Sequence, residues 1–210
     1  AVVYNGVDTE RFHPRSRQYR EEIRRRHGIR DEFVILFVSN NFRSKGLDHL
    51  MRALVNLNKE VSTPFKCLVL GRDRKRPYTR LAKRLGISKE IIFAGSTDEP
   101  EKYYGAADLL VHPTFYDACS LVVLEALASG LPVITTVSNG AAGVLKNGQG
   151  GFIVESPLDS RVLMEKIAFF FDERRRQESC VLARRSMEEY PIELNYREVI
   201  SILLKSVEDR

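Results

Sequence analysis

Residues 33–54, FVILFVSNNFRSKGLDHLMRAL, decide the fold. The first seven, FVILFVS, form a short, continuously apolar, β-branched run, the pattern of a strand covered on both faces. A polar turn follows, and from Gly46 to about residue 58 apolar residues recur at helical spacing. Strand, turn and helix in that order are the unit of a parallel sheet. The same grammar repeats along the chain. Further strands read as KCLVLG (66–71), EIIFAG (90–95), DLLVH (108–112), PVITT (132–136) and GFIVE (151–155), with helices at about 77–86, 98–105, 120–129 and 159–172. This alternation predicts an α/β fold, a doubly wound parallel sheet of about six strands with helices on both faces.

The flanks differ from this pattern. RQYREEIRRRHGI (17–29) reads as a helix ending at Gly28, and beyond Asp172 only helices remain, at 174–190 and 193–210 with Pro191 between them. The last carries Leu194, Val199, Ile200, Ile202, Leu203, Leu204 and Val207 at helical spacing, so one face expects a partner. AVVYNGVD, opening on Ala1, reads as a strand end and turn from the middle of a longer protein. The 210 residues, 43% hydrophobic, suffice for one large core. The net charge of +5 is concentrated in REEIRRRHGIR, GRDRKRPYTRLAKR and DERRRQ. Each reads first as a solvated helix face, with a phosphate-facing role left open. Cys67, Cys119 and Cys180 show neither disulfide nor zinc spacing, and there is no signal peptide or run of eighteen apolar residues. A reducing, cytoplasmic setting fits best.

In open α/β sheets the ligand sits outside the carboxyl ends of the strands, so the strand-to-helix turns are the candidate site. The fourth is the most informative: HPTFYDACSLVVLEALASGLPV (112–133) runs from a strand end through Asp117 into a helix bearing Glu125, ended by Gly130 and Pro132. Two carboxylates bracket a helix N-terminus, whose unpaired N–H groups and dipole suit phosphate. Glu125, embedded in VVLEALA, needs a partner to offset desolvation: a pair of ribose hydroxyls, or else an Arg or backbone amide. The first turn brings Arg43 and Lys45 to the same sheet edge. The second has Gly71, where a backbone turns sharply or approaches a ligand, and the third offers Gly95 and Ser96 to a planar base. His112 and His49 read as satisfied polar residues at element edges.

Rival classes lack their motifs. No G-x-G-x-x-G follows a strand, no GK[ST] is present, FVSNN lacks the acidic cluster of a phosphoacceptor domain, and the basic runs have sparse aromatic interleaving for nucleic acid.

The ordered set YNGVDTERFHP, FVSN...KGLDHLMRAL, LVLGRD, IIFAGS, YYGAADLLVHPT and D-x7-E before ALASGLPVITT resembles the C-terminal, donor-binding domain of retaining nucleotide-sugar glycosyltransferases built from two Rossmann-like domains (GT-B type). The Gly-Arg-Asp turn and HPTFYDACSLVVLEA are similar to the lipopolysaccharide core glucosyltransferase branch. The resemblance implies an interdomain lead-in over 1–14, a Rossmann-like donor domain over 15–173, and helices over 174–210 that pack toward a preceding acceptor domain. It implies that Lys45, helped by Arg43, binds the donor pyrophosphate, that backbone N–H groups around Cys119, Ser120 and Leu121 hold the distal phosphate, and that Glu125 takes the ribose hydroxyls. Asp117 would face the sugar and loops near Gly71 and Ser96 the uracil, with Asn40, Arg72, Ala118 and Val122 completing the donor set. Asn40 stands where Arg is commoner, Asp117 where Glu is usual, and residues 139–143 lack the family's acid. The implied partners are a UDP-sugar donor and a saccharide or glycolipid acceptor on the absent domain. No metal is expected, no nucleic acid, and peripheral association at the inner face of the membrane is open. The alternative is a non-catalytic nucleotide- or dinucleotide-binding module.

Overall fold

The run at 33–39 lies at the centre of the molecule. A computed structural model describes residues 3–145 and 149–208. The strands are β1 (Phe33–Val38), β2 (Phe65–Leu70), β3 (Ile91–Gly95), β4 (Leu109–His112), β5 (Val133–Thr136) and β6 (Gly151–Val154). They form one sheet in the order β3-β2-β1-β4-β5-β6, every pair parallel. The helices are α1 (Arg20–Arg26), α2 (Leu47–Glu60), α3 (Arg76–Leu85), α4 (Pro100–Ala106), α5 (Leu121–Ala128), α6 (Ser160–Phe169), α7 (Glu173–Ser186) and α8 (Ile192–Glu208).

Alternation along β1 explains the two layers. Phe33, Ile35 and Phe37 join a core with α2, α3 and α6, while Val34 and Leu36 join a second core with α1, α4, α5 and α7. Val34 through Phe37 are fully buried, at about 1.5–3 kcal/mol each. α2 contributes Leu47, Leu50, Met51, Leu54 and Leu57, the inward stripe of an amphipathic helix. α1 is tied to the sheet by charge: Arg20 and Arg24 each meet a different oxygen of Asp108 at 2.7 Å, and Asp108 Oδ2 also accepts the Val34 N–H.

Three features differ from the sequence reading or add to it. The helix read at 17–29 is a 3-10 turn (Pro14–Tyr19) followed by α1, because His13 and Pro14 start the turn early. Gly28 does adopt φ 67° just beyond α1. Beyond the boundary read at 173/174, α7 packs on α5 and buries Ala183, with Met187 just beyond it, and Arg184 donates to the Ala128 carbonyl at α5's end. Its polar sequence hid this, since few residues make the contact. Third, a 3-10 turn over Gly140–Val144, not foreseen, follows β5.

The lead-in docks on the start of α8, with the Val7 N–H donating to Tyr190 O and the Ile192 N–H to Val7 O, both at 3.0 Å. The strand end read at the chain start falls partly on residues 1 and 2, outside the described residues. α8 keeps Leu194, Val199, Ile200 and Leu204 exposed. Among the described residues no helix is long and apolar enough to cross a membrane.

Candidate functional site

β1 and β4 are neighbours, yet the chain leaves β1 for β2 and reaches β4 only later. A crevice therefore opens between their carboxyl ends, where α2 and α5 depart to opposite faces. Lys45 comes from the turn after β1 and Asp117 from the turn after β4. Lys45 Nζ lies 2.7 Å from Asp117 Oδ2 and donates to the Tyr116 carbonyl at 2.9 Å. The two turns are joined by backbone: the Phe115 N–H donates to Ser44 O at 3.0 Å. Gly46 has φ 75°, and a Cβ there would run into the Pro113 carbonyl, so only glycine permits this approach.

His112 belongs to this cluster. Its ring is buried, Nε2 lies 3.2 Å from Ser120 Oγ and 3.7 Å from Asp117 Oδ2, and Nδ1 has no partner among the described residues. Burial lowers its pKa, so the ring is neutral at pH 7. His112 and the Lys45 ammonium hold the Asp117 carboxyl well below the usual carboxylate range. Asn139 supports the same turn: Oδ1 accepts the Ser120 N–H at 3.2 Å and Nδ2 donates to Thr135 Oγ1 at 2.9 Å. The Ser120 N–H is therefore engaged by Asn139 here. Among the described residues no protein acceptor reaches the N–H groups of Leu121 and Val122, which remain available at the positive end of α5.

Glu125 has a partner that the sequence reading did not name. The hydroxyl of buried Tyr104, on α4, donates to Glu125 Oε2 at 2.7 Å. Burial raises the Glu125 pKa, and burial followed by the Glu125 charge raises that of Tyr104. Among the described residues only Tyr104 donates to this carboxylate, so one oxygen stays open to a diol.

On the other side of the crevice a cleft of about 430 Å³ lies over the ends of β2 and β3, lined by Phe42, Gly71, Arg72, Asp73, Phe93 and Ser96 among others. Gly71 has φ 142°, and a Cβ there would collide with the Ser39 carbonyl. Asn40 Oδ1 accepts the Arg72 N–H at 3.0 Å, so Asn40 shapes this rim. Arg43 is exposed, its carbonyl accepts the Gly46 N–H at 3.2 Å, and among the described residues its side chain makes no ion pair or hydrogen bond. Ala118 is exposed and Cys119 half-buried in the α5 turn. All three cysteines are free thiols, and burial pushes Cys67 up to about 12. Among the described residues no cluster of three or more His, Cys, Asp or Glu is placed to hold a metal.

Sequence reading missed His112, Asn139 and Tyr104 as parts of the site. A histidine ending an apolar strand and the Asn-Gly at the next turn were the available signals; Tyr104 offered none, being one of two adjacent tyrosines on an otherwise ordinary helix.

The pair has a pH signature. A carboxyl whose folded pKa lies below its usual value, 3.8 here, contributes stability above that value that is lost as pH falls through and below it. Asp117→Asn is expected to shrink the drop in urea midpoint between pH 7 and about pH 2.5; an undiminished drop counts against the pair.

Fold and crevice together define a Rossmann-like α/β domain with a topological switch point between β1 and β4. Residues 19–187 match the family described as Glycosyl transferases group 1. The chain belongs to that family. It is 32% identical over 147 residues to the lipopolysaccharide glucosyltransferase WaaG of Escherichia coli, covering 70% of this chain and 39% of that protein. It is 30% identical over 159 residues to a GDP-mannose-dependent phosphatidylinositol monomannoside mannosyltransferase of Mycolicibacterium smegmatis, covering 71% and 41%. The crystal structure of Anabaena HepE in complex with UDP-glucose superposes with TM-score 0.86 at 19% identity, over 98% of this chain and 57% of that one. The chain thus spans roughly two fifths of the length of these curated relatives and matches one half of a GT-B fold.

Proposed function

We propose that this chain is the donor-binding half of a retaining glycosyltransferase that transfers a hexose, glucose from UDP-glucose, to a saccharide or glycolipid such as lipopolysaccharide core. The observation that carries the reading is Lys45 paired with Asp117 across the switch point, beside the open N–H groups of α5 and 72 residues away in sequence. In this reading the diphosphate lies between Lys45 and the start of α5. Glu125 takes the ribose hydroxyls with its open oxygen, the base occupies the cleft at Gly71 and Ser96, and Asp117 positions the sugar. Departure of the diphosphate through an oxocarbenium-like state builds negative charge where Lys45, Arg43 and the α5 N-terminus supply fixed positive charge. The acceptor is held by a preceding domain, and the enzyme works at the inner face of the cytoplasmic membrane. The named activity of the WaaG relative and the UDP-glucose complex of HepE support the choice of donor.

A calorimetric comparison tests it. UDP-glucose is expected to bind the chain more tightly than GDP-mannose or NAD, and to the same extent in EDTA. Preference for NAD would point to a dinucleotide-binding module instead, and loss of binding in EDTA would show that the fixed charges do not replace a metal.

A further inference from the structure

The charge on α3 is arranged unlike that of the other basic helices. Its ten residues, RPYTRLAKRL, contain no acid, and Arg76, Arg80, Lys83 and Arg84 are all exposed. Their spacing of four, seven and eight residues puts them on one face about 12 Å long. Lys75 is exposed at the helix start, where no side chain caps the helix. Among the described residues none of these five cations forms an ion pair, whereas Arg26, Arg161 and Arg174 on α1, α6 and α7 each have a glutamate four residues away.

This array costs stability. Like charges at i and i+4 repel, and Arg76 in the first turn opposes the helix dipole, while Lys83 and Arg84 in the last turn complement it. Nor can the helix turn the stripe inward, because buried Ala82 and half-buried Tyr78, Leu81 and Leu85 hold its other face on the core. The remaining repulsion is relieved when an anionic layer faces the stripe. We propose that α3 is a docking face for anionic lipid headgroups, holding the mouth of the nucleotide crevice beside a membrane. Lys75 and Arg72 line the base cleft, so the stripe begins at that rim and runs down the flank. A straight polybasic face without large exposed apolar residues fits electrostatic attachment to a bilayer surface, not insertion. Nucleic acid is disfavoured because the one aromatic of the helix, Tyr78, packs edge-on against Phe42 at 5.4 Å and offers no exposed stacking surface.

The proposal deepens the membrane association proposed above, and its test is separable from donor binding. The chain is co-sedimented at low salt with vesicles of equal parts phosphatidylglycerol and phosphatidylcholine, and with phosphatidylcholine alone. Arg76→Gln/Arg80→Gln/Lys83→Gln/Arg84→Gln is expected to weaken binding to the anionic vesicles by on the order of a hundredfold. Arg25→Gln/Arg26→Gln/Arg174→Gln/Arg175→Gln, which removes the same charge elsewhere, is expected to leave it within a few-fold. The α3 variant should melt no lower than the parent, since repulsion is relieved, and should keep its calorimetric UDP-glucose signal. No binding of the parent to anionic vesicles, equal losses in both variants, or tighter binding to a single-stranded oligonucleotide than to the vesicles would each overturn the proposal. A UDP-glucose signal missing from the parent itself refutes the donor reading and leaves the vesicle result to stand alone.

Discussion

Lys45→Ala is expected to weaken UDP-glucose binding by about ten- to a hundredfold, the loss of one charge-assisted hydrogen bond to phosphate. The upper end is expected because of what surrounds the ammonium. Lys45 Nζ sits 2.7 Å from Asp117 Oδ2, and both side chains are about four-fifths buried. Removing the ammonium therefore deletes an attraction and leaves a carboxylate facing the diphosphate. Lys45→Ala/Asp117→Asn should recover part of the loss, because the second change removes the repulsion. Titration calorimetry on the chain measures both. An unchanged dissociation constant in the single variant would sink the assignment of the phosphate site.

The second large effect is expected at the opposite end of β4 and on stability. Asp108 is 4% exposed and joins Arg20, Arg24 and the Val34 N–H, with Arg176 Nε at 4.0 Å. Arg24, itself buried, also donates to the carbonyls of Ala106, Arg30 and Glu32 and cannot swing into water without breaking these bonds. Asp108→Ala leaves that guanidinium without its counter-ion, at a cost of about 3–5 kcal/mol. A domain of ordinary stability has about 5–15 kcal/mol in total, so the urea midpoint should fall steeply. Affinity for UDP-glucose measured under native conditions should stay the same, since the aspartate lies at the amino end of the strand. A stability loss below about 1 kcal/mol would mean that solvent or backbone movement compensates the charge.

These residues also mark how far sequence reading reached. Asp117, Lys45, Glu125, Gly71 and Ser96 were legible because turns after parallel strands gather at one sheet edge whatever their separation in sequence. The strands were legible because burial on both faces leaves a continuous apolar run, as in FVILFVS. The α7 contact was not, since Ala183 and, just past the helix end, Met187 are the buried apolar residues of an otherwise charged segment. Asp108, one acid before the apolar LLVH, gave no sign of the arginines that meet it from α1.

The chemistry of the carboxylates divides along the same line. Sequence alone determined that Asp117 and Glu125 bracket a helix N-terminus, because eight residues of local chain set that relation. Only the tertiary structure decided that His112 and Lys45 hold the Asp117 carboxyl below its usual range, that Tyr104 holds one oxygen of Glu125, and that Asn139 occupies the Ser120 N–H. The pairings Lys45–Asp117 and Tyr104–Glu125 join different turns or helices, and strand order and register set the distances between them. Periodicity reports which face a residue occupies; the partner across that face is chosen by packing.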